Sequence, residues 1–177
     1  MRTLMLLIFV SAFSVLAAAQ TGDTAATVAK DTLTKDVLSG NPMLLGYCNR
    51  EAFKDTTFSW WFNSIYDIYN VDTLTAEKLA GKLKNVNIEI VMGTWCSDSR
   101  REVPRFFKIL DYLKYPSDSV KIIAVGRDKK GRADETKNLD IELVPTFIFY
   151  RDGKELGRIV ESPKVSLEKD MAKILND

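Results

Sequence analysis

The sequence predicts an α/β fold, a mixed central sheet flanked by helices and preceded by a helical extension. Three observations predict it. Residues 86–92 (VNIEIVM) and 120–126 (VKIIAVG) are nearly continuous apolar runs of strand length, the pattern of strands buried on both faces. Between them, residues 97–114 place Val103, Phe106, Phe107, Leu110 and Leu113 at helical spacing. After them, the runs 144–150 and 156–160 are joined by Arg151-Asp152-Gly153-Lys154, where Asp-Gly signals a tight hairpin. A strand–helix–strand unit followed by a hairpin gives a mixed sheet, with helices expected on both faces.

In chain order, residues 1–19 carry one charge, Arg2, then an apolar run from Leu4 to Leu16 and the small residues Ala17-Ala18-Ala19. That is the layout of a secretory signal peptide cut near Ala19, and the run is short for a membrane span of about 20 residues. The expected mature protein is soluble, secreted or periplasmic, with no stable membrane insertion after cleavage. Residues 20–40 are rich in Thr, Ala and Asp without an aromatic and read as a flexible tether.

Residues 41–84 form the N-terminal helical extension. Eight aromatics fall between Tyr47 and Tyr69, and Phe58, Trp61, Phe62, Ile65 and Tyr69 keep helical spacing, predicting a helix with one large apolar face. A second helix is predicted over 73–84, with Asp72 as cap and Leu74, Leu79 and Leu83 inward. Residues 85–177 hold the α/β domain, closed by a helix capped at Ser162-Pro163 with Val165, Leu167, Met171, Ile174 and Leu175 inward.

Composition excludes several function classes. The 177 residues include 25 Lys and Arg, 24 Asp and Glu, and no His. Without residues 1–19, basic and acidic residues balance, which argues against electrostatic binding of nucleic acid or of an anionic membrane surface. The lack of His removes Ser-His-Asp and Cys-His catalysis and His ligation of zinc or haem. Two cysteines, Cys48 and Cys96, are too few for a disulfide scaffold or an iron–sulfur cluster. No cofactor and no metal is expected.

Chemistry concentrates in Gly93-Thr94-Trp95-Cys96-Ser97-Asp98-Ser99, between a buried strand and a helix start. A cysteine there meets the positive end of the helix dipole and unpaired backbone N–H groups, both of which favour a thiolate. Arg100 and Arg101 add positive charge and Asp98 opposes it. The strand's carboxyl end is also where open α/β sheets place their chemistry. The alternative is a buried structural thiol. Cys48, in the apolar stretch Leu44-Leu45-Gly46-Tyr47-Cys48, reads first as a small core residue. The sharper reading is a resolving thiol for Cys96, which needs Cα atoms within about 7 Å.

Other patterns are weaker. Residues 126–133 (GRDKKGRA) lack the Lys and Ser/Thr of a phosphate-binding loop and read as a charged loop. Thr94 is two residues before Cys96, so the T-x-x-C spacing of peroxiredoxins fails. Asp98 and Glu102 read as a solvated pair beside Arg101 and Arg105.

On these residues the chain resembles the thioredoxin family. The strand, Trp95-Cys96-x-x and helix resemble the family's W-C-x-x-C site. Pro104, eight residues after Cys96, matches its helix-kinking proline, and Val144-Pro145-Thr146 resembles its cis-proline segment, followed by Asp152-Gly153 and Gly157. The resemblance covers about 86–177. It implies a thioredoxin fold and thiol–disulfide exchange or isomerisation through a single nucleophile, Cys96. It implies a rim of Trp95, Ser97, Asp98, Ser99, Val144, Pro145 and Thr146, and protein or small-molecule thiols and disulfides as partners. Ser99 replaces the second cysteine and Ile90 the buried acid, so internal resolution and its proton relay are missing unless Cys48 and Glu89 serve. Two alternatives stand: a non-catalytic thioredoxin-fold module that binds a partner through the same groove, and a cysteine oxidation sensor.

Overall fold

The computed structural model describes residues 33–176; the expectations for residues 1–19 and 20–32 lie outside them. Strands β1 (Leu33–Lys35) and β2 (Pro42–Leu44) form an antiparallel hairpin, and β3 (Gly46–Cys48) follows at once. A 3-10 turn (Arg50–Lys54) leads into α1 (Thr56–Ile68) and the short α2 (Thr73–Glu77). Then come β4 (Val86–Met92), α3 (Ser97–Tyr112), β5 (Lys121–Ala124), β6 (Thr146–Arg151), β7 (Lys154–Val160) and α4 (Leu167–Ile174).

The main sheet has five strands in the order β3-β5-β4-β6-β7. The crossover through α3 makes β4 and β5 parallel, with Ile90 opposite Ile122; β6 and β7 return antiparallel. The predicted hairpin turn is Asp152-Gly153, both at positive φ, as a two-residue turn with the strands' own twist requires. β4 is central and buried on both faces except at Asn87, which explains its unbroken apolar run.

Because side chains alternate along a strand, the sheet presents two apolar layers. Ile88, Ile90 and Met92 of β4, Ile122 of β5, and Phe147 and Phe149 of β6 join Phe58, Trp61 and Phe62 of α1, Phe106 and Phe107 of α3, and Leu167 and Met171 of α4 in the larger layer. Val91, Ile123, Val125 and Val144 form a smaller layer on the opposite face, against Trp95, Cys96, Leu139 and Ile141. Among the described residues this second layer is covered by the connection 126–143, which is a loop and not a short helix, so this face of the sheet lacks the helical cover expected on both faces. Lys129, Asn138 and Asp140 at positive φ keep that connection from winding into a helix.

Several boundaries differ from the sequence reading. Residues 42–48, placed in the helical extension without a helix of their own, form strands, and β3 pairs antiparallel with β5 as an edge of the main sheet. Residues 33–40, expected in the tether, build the hairpin, where Asp36 accepts from Ser39 Oγ at 2.6 Å and closes the turn. α2 stops at Glu77; Leu74, within it, is 76% exposed and not inward as expected, while Leu79 and Leu83 reach the core from the turns beyond. α4 is capped by Ser166, which accepts from the Lys169 N–H, and not by Ser162-Pro163. Glu161 at positive φ delays the helix start, which leaves Val165 70% exposed. Phe58, Trp61 and Phe62 are buried as the spacing predicts, and Ile65 is half-buried.

Candidate functional site

Leaving the sheet, β4 runs into Gly93, whose backbone lies against the Trp95 indole. A Cβ at Gly93 would sit 2.6 Å from Trp95 Cε2, so glycine is required. Trp95 Nε1 donates to the Val125 carbonyl at 2.8 Å. Thr94 is buried: its Oγ1 accepts the Leu44 N–H at 3.1 Å, and its carbonyl accepts Arg100 Nε at 2.6 Å. Arg100, which sequence reasoning counted only as charge, therefore braces the loop.

Cys96 is the N-cap of α3, in extended conformation, and its side chain makes no capping bond. It is half-buried, and Sγ donates to the Val144 carbonyl at 3.2 Å. The Val144–Pro145 bond is cis. Thr146 Oγ1 donates to the Leu143 carbonyl at 2.7 Å, and the Pro145 carbonyl accepts the Glu161 N–H at 2.7 Å, so both sides of this segment are tied down. Residues 144–146 and the Cys96 loop thus meet at one end of the sheet, although 48 residues separate Cys96 from Val144.

Ser99 is fully buried and its Oγ accepts the Gly93 N–H at 3.2 Å. This buried hydroxyl ties the loop to the first turn of α3. Ser97 is exposed, and Asp98 pairs with Arg101 at 2.7 Å. Glu102, expected to be solvated, is instead buried, with Oε1 accepting from Arg101 and Arg105. Packing of α3 against the rest of the fold, invisible in an i,i+4 pattern, decides this.

The structure does not bring Cys48 to Cys96. Both are free, and they pack on opposite layers of the sheet. Cys48 lies opposite Ile122, which lies opposite Ile90. Two strand spacings, about 9–10 Å, separate β3 from β4, beyond the reach of a disulfide. Burial among apolar side chains pushes the Cys48 thiol up to about 12. Ile90 is sealed in the larger layer. Glu89 faces the Cys96 side, but it lies about 10 Å down the strand from Met92 and pairs with Lys121 at 3.0 Å. It does not fill the family's acid position.

Sequence reasoning missed Asp36 and Arg127. Arg127 follows β5 and sets its guanidinium 4.8 Å from the Trp95 ring centroid. Its Nε and Nη2 each donate to a different Asp36 oxygen at 2.8 Å. Asp36 is 2% exposed, and its hydrogen bond from Arg127 holds its carboxyl well below the usual range. No local pattern could have found a pair 91 residues apart.

Among the described residues there is no cluster of Cys, Asp or Glu that could hold a metal, and no helix is long and apolar enough to cross a membrane.

The family model described as Thioredoxin matches residues 68–173. A thioredoxin-like protein of Acanthamoeba polyphaga mimivirus is 28% identical over 109 residues, which are 62% of this chain and 76% of that protein. A putative thioredoxin of Dictyostelium discoideum is 31% identical over 104 residues, covering 53% of this chain and 88% of its own. The crystal structure of an oxidised thioredoxin from Arabidopsis thaliana overlays with a TM-score of 0.39 and 24% identity, covering 56% of this chain and 87% of that one.

Proposed function

The chain belongs to the thioredoxin family, and from that premise we propose that it performs thiol–disulfide exchange or isomerisation outside the cytoplasm, with Cys96 as its single nucleophile. The observation that carries this reading is the free Cys96 thiol at the start of α3, 3.2 Å from the carbonyl beside Pro145. The Cys96 thiolate attacks one sulfur of a substrate disulfide. The S–S bond breaks, the other sulfur leaves with the electron pair and takes a proton, and a mixed disulfide to Cys96 remains. Attack by another thiolate of the same substrate then frees Cys96, so no net electrons are transferred and the outcome is isomerisation. A small thiol can release Cys96 in the same way, leaving the substrate reduced and the small thiol oxidised after a second exchange.

Ser99 and Ile90 support this monothiol route over dithiol reduction, since Ser99 cannot resolve a mixed disulfide and Ile90 cannot relay a proton. In the family, the residues around the cis-proline align the substrate backbone, which gives Val144, Pro145 and Thr146 that role here. The signal-peptide reading of residues 1–19 supplies the location, an oxidising compartment where such chemistry is needed. N-terminal sequencing of the exported protein should begin at Gln20.

The same loss of the second cysteine and of the buried acid is what a partner-binding module would display. Mixed-disulfide trapping separates the two. Wild-type protein and Cys48→Ala should both form disulfide-linked adducts with a scrambled substrate, and Cys96→Ala should form none. Equal non-covalent capture by wild type and Cys96→Ala, with no adduct, would leave the binding module standing.

A further inference from the structure

We propose that Arg127 is a positioning residue for the Cys96 loop, linking the N-terminal hairpin to the nucleophile through Asp36 on one side and Trp95 on the other. This rests on the reading of Cys96 as the nucleophile.

The physical argument begins with Asp36. It is buried in the hairpin turn, its carboxylate already organised by Ser39 Oγ at 2.6 Å and by the N–H groups of Leu38 and Ser39. A carboxylate held this way offers two oxygens in one orientation, and Arg127 takes both at 2.8 Å. A bidentate fork fixes the guanidinium plane as well as its place. The guanidinium then packs 4.8 Å from the centre of the Trp95 ring, within the range of cation–π attraction. Trp95 is held at its other contacts by the Val125 carbonyl and by the backbone of Gly93. The indole is therefore held at three contacts, and Cys96 is the next residue in the chain. A second strut from the same hairpin, the Leu44 N–H to Thr94 Oγ1, grips the residue before Trp95. Since Asp36 compensates the charge of Arg127, what the pair supplies is placement of the loop, and the short hairpin becomes part of the thiol site.

The test is a double-mutant cycle in the full chain. The variants are Arg127→Ala, Trp95→Ala and their combination, with Arg127→Lys and Asp36→Asn alongside. Two second-order rates are measured, alkylation by iodoacetamide read at the Cys96 peptide by mass spectrometry and exchange with a small aromatic disulfide. Arg127→Ala should slow both rates at least fivefold. Arg127→Lys, which keeps the charge but loses the bidentate fork, should recover only part of the loss, and Asp36→Asn should fall between wild type and Arg127→Ala. In the Trp95→Ala background, Arg127→Ala should change either rate less than twofold. A merely structural arginine would lower the melting temperature alike in both backgrounds and leave the rates uncoupled. The proposal is overturned if Arg127→Ala stays within twofold of wild type, or if its rate loss is the same with and without Trp95. If Arg127→Ala fails to fold, Asp36→Asn reacting at the wild-type rate overturns it equally. Wild type that alkylates at Cys96 but exchanges with no disulfide would sink the proposed function, while the alkylation cycle would still decide the role of Arg127.

Discussion

Cys96 and Cys48 are chemically the same side chain, and their surroundings make them different groups. Cys96 caps a helix at a polar loop; Cys48 sits in the apolar layer on the other face of the sheet. With its thiol at about 12, Cys48 stays protonated at pH 8.5. Iodoacetamide at that pH should label one cysteine per native molecule, at Cys96, and two after unfolding in guanidinium. Linkage follows the same direction. A thiol whose folded value exceeds its unfolded value of about 8.5 lends stability that is fully present below pH 8.5 and is lost as pH rises towards 12. Ser99 sets up a second prediction, because its buried hydroxyl occupies the place of the family's second cysteine. Ser99→Cys should form a disulfide with Cys96 under mild oxidation and raise insulin reduction above wild type. A variant that keeps two unlinked thiols at this site would show that the loop geometry differs from a W-C-x-x-C site.

At the scale of elements, the extension is welded to the α/β core by aromatic packing. Phe53 stacks on Phe62 at 5.0 Å, and Phe62 meets Phe107 of α3 at 6.0 Å. Trp61 is buried in the same cluster, 5.8 Å from Phe53. Trp61→Ala removes a large buried side chain and should cost about 3–5 kcal/mol, in one cooperative transition reported identically by near-UV and far-UV circular dichroism. Two separated transitions would mean that α1 unfolds independently of the sheet. The hairpin β1–β2 has only three residues per strand, and a hairpin of that size is not stable alone. Its ties to Arg127 and Thr94 hold it in place.

Across the whole molecule, one ionic cluster joins three elements far apart in sequence. Arg50, after β3, donates twice to Asp111 of α3 at 2.7 Å, and Tyr66 of α1 donates to the same carboxylate at 2.6 Å. Burial pushes the Asp111 carboxyl up, but the Arg50 and Tyr66 hydrogen bonds outweigh it and leave it lowered. A carboxyl lowered on folding stabilises fully above its unfolded value of about 3.9, and that contribution is lost progressively as pH falls from there through the lower folded value. Asp111→Asn should therefore cost roughly 1–3 kcal/mol at pH 7 and less at pH 3, as urea unfolding would show. An equal loss at both pH values would assign the effect to packing.

How much was legible in the sequence follows from the range of each interaction. Strand β4, helix α3, the Asp152-Gly153 turn and the buried face of α1 depend on neighbours within a few residues, so periodicity and turn chemistry determined them. The Cys96 loop was legible for the same reason: strand, glycine, cysteine and helix start are contiguous. Other features required the folded chain. An edge strand such as β3 is stabilised by a partner some 75 residues away, and three residues carry too little pattern to announce it. The opposite-face placement of Cys48 follows from register, which only pairing sets. The burial of Glu102, the Asp36–Arg127–Trp95 chain and the meeting of Cys96 with Val144 are contacts between segments that no local propensity connects. Local physical chemistry determined which elements form and which thiol is presented; tertiary packing decided what surrounds that thiol.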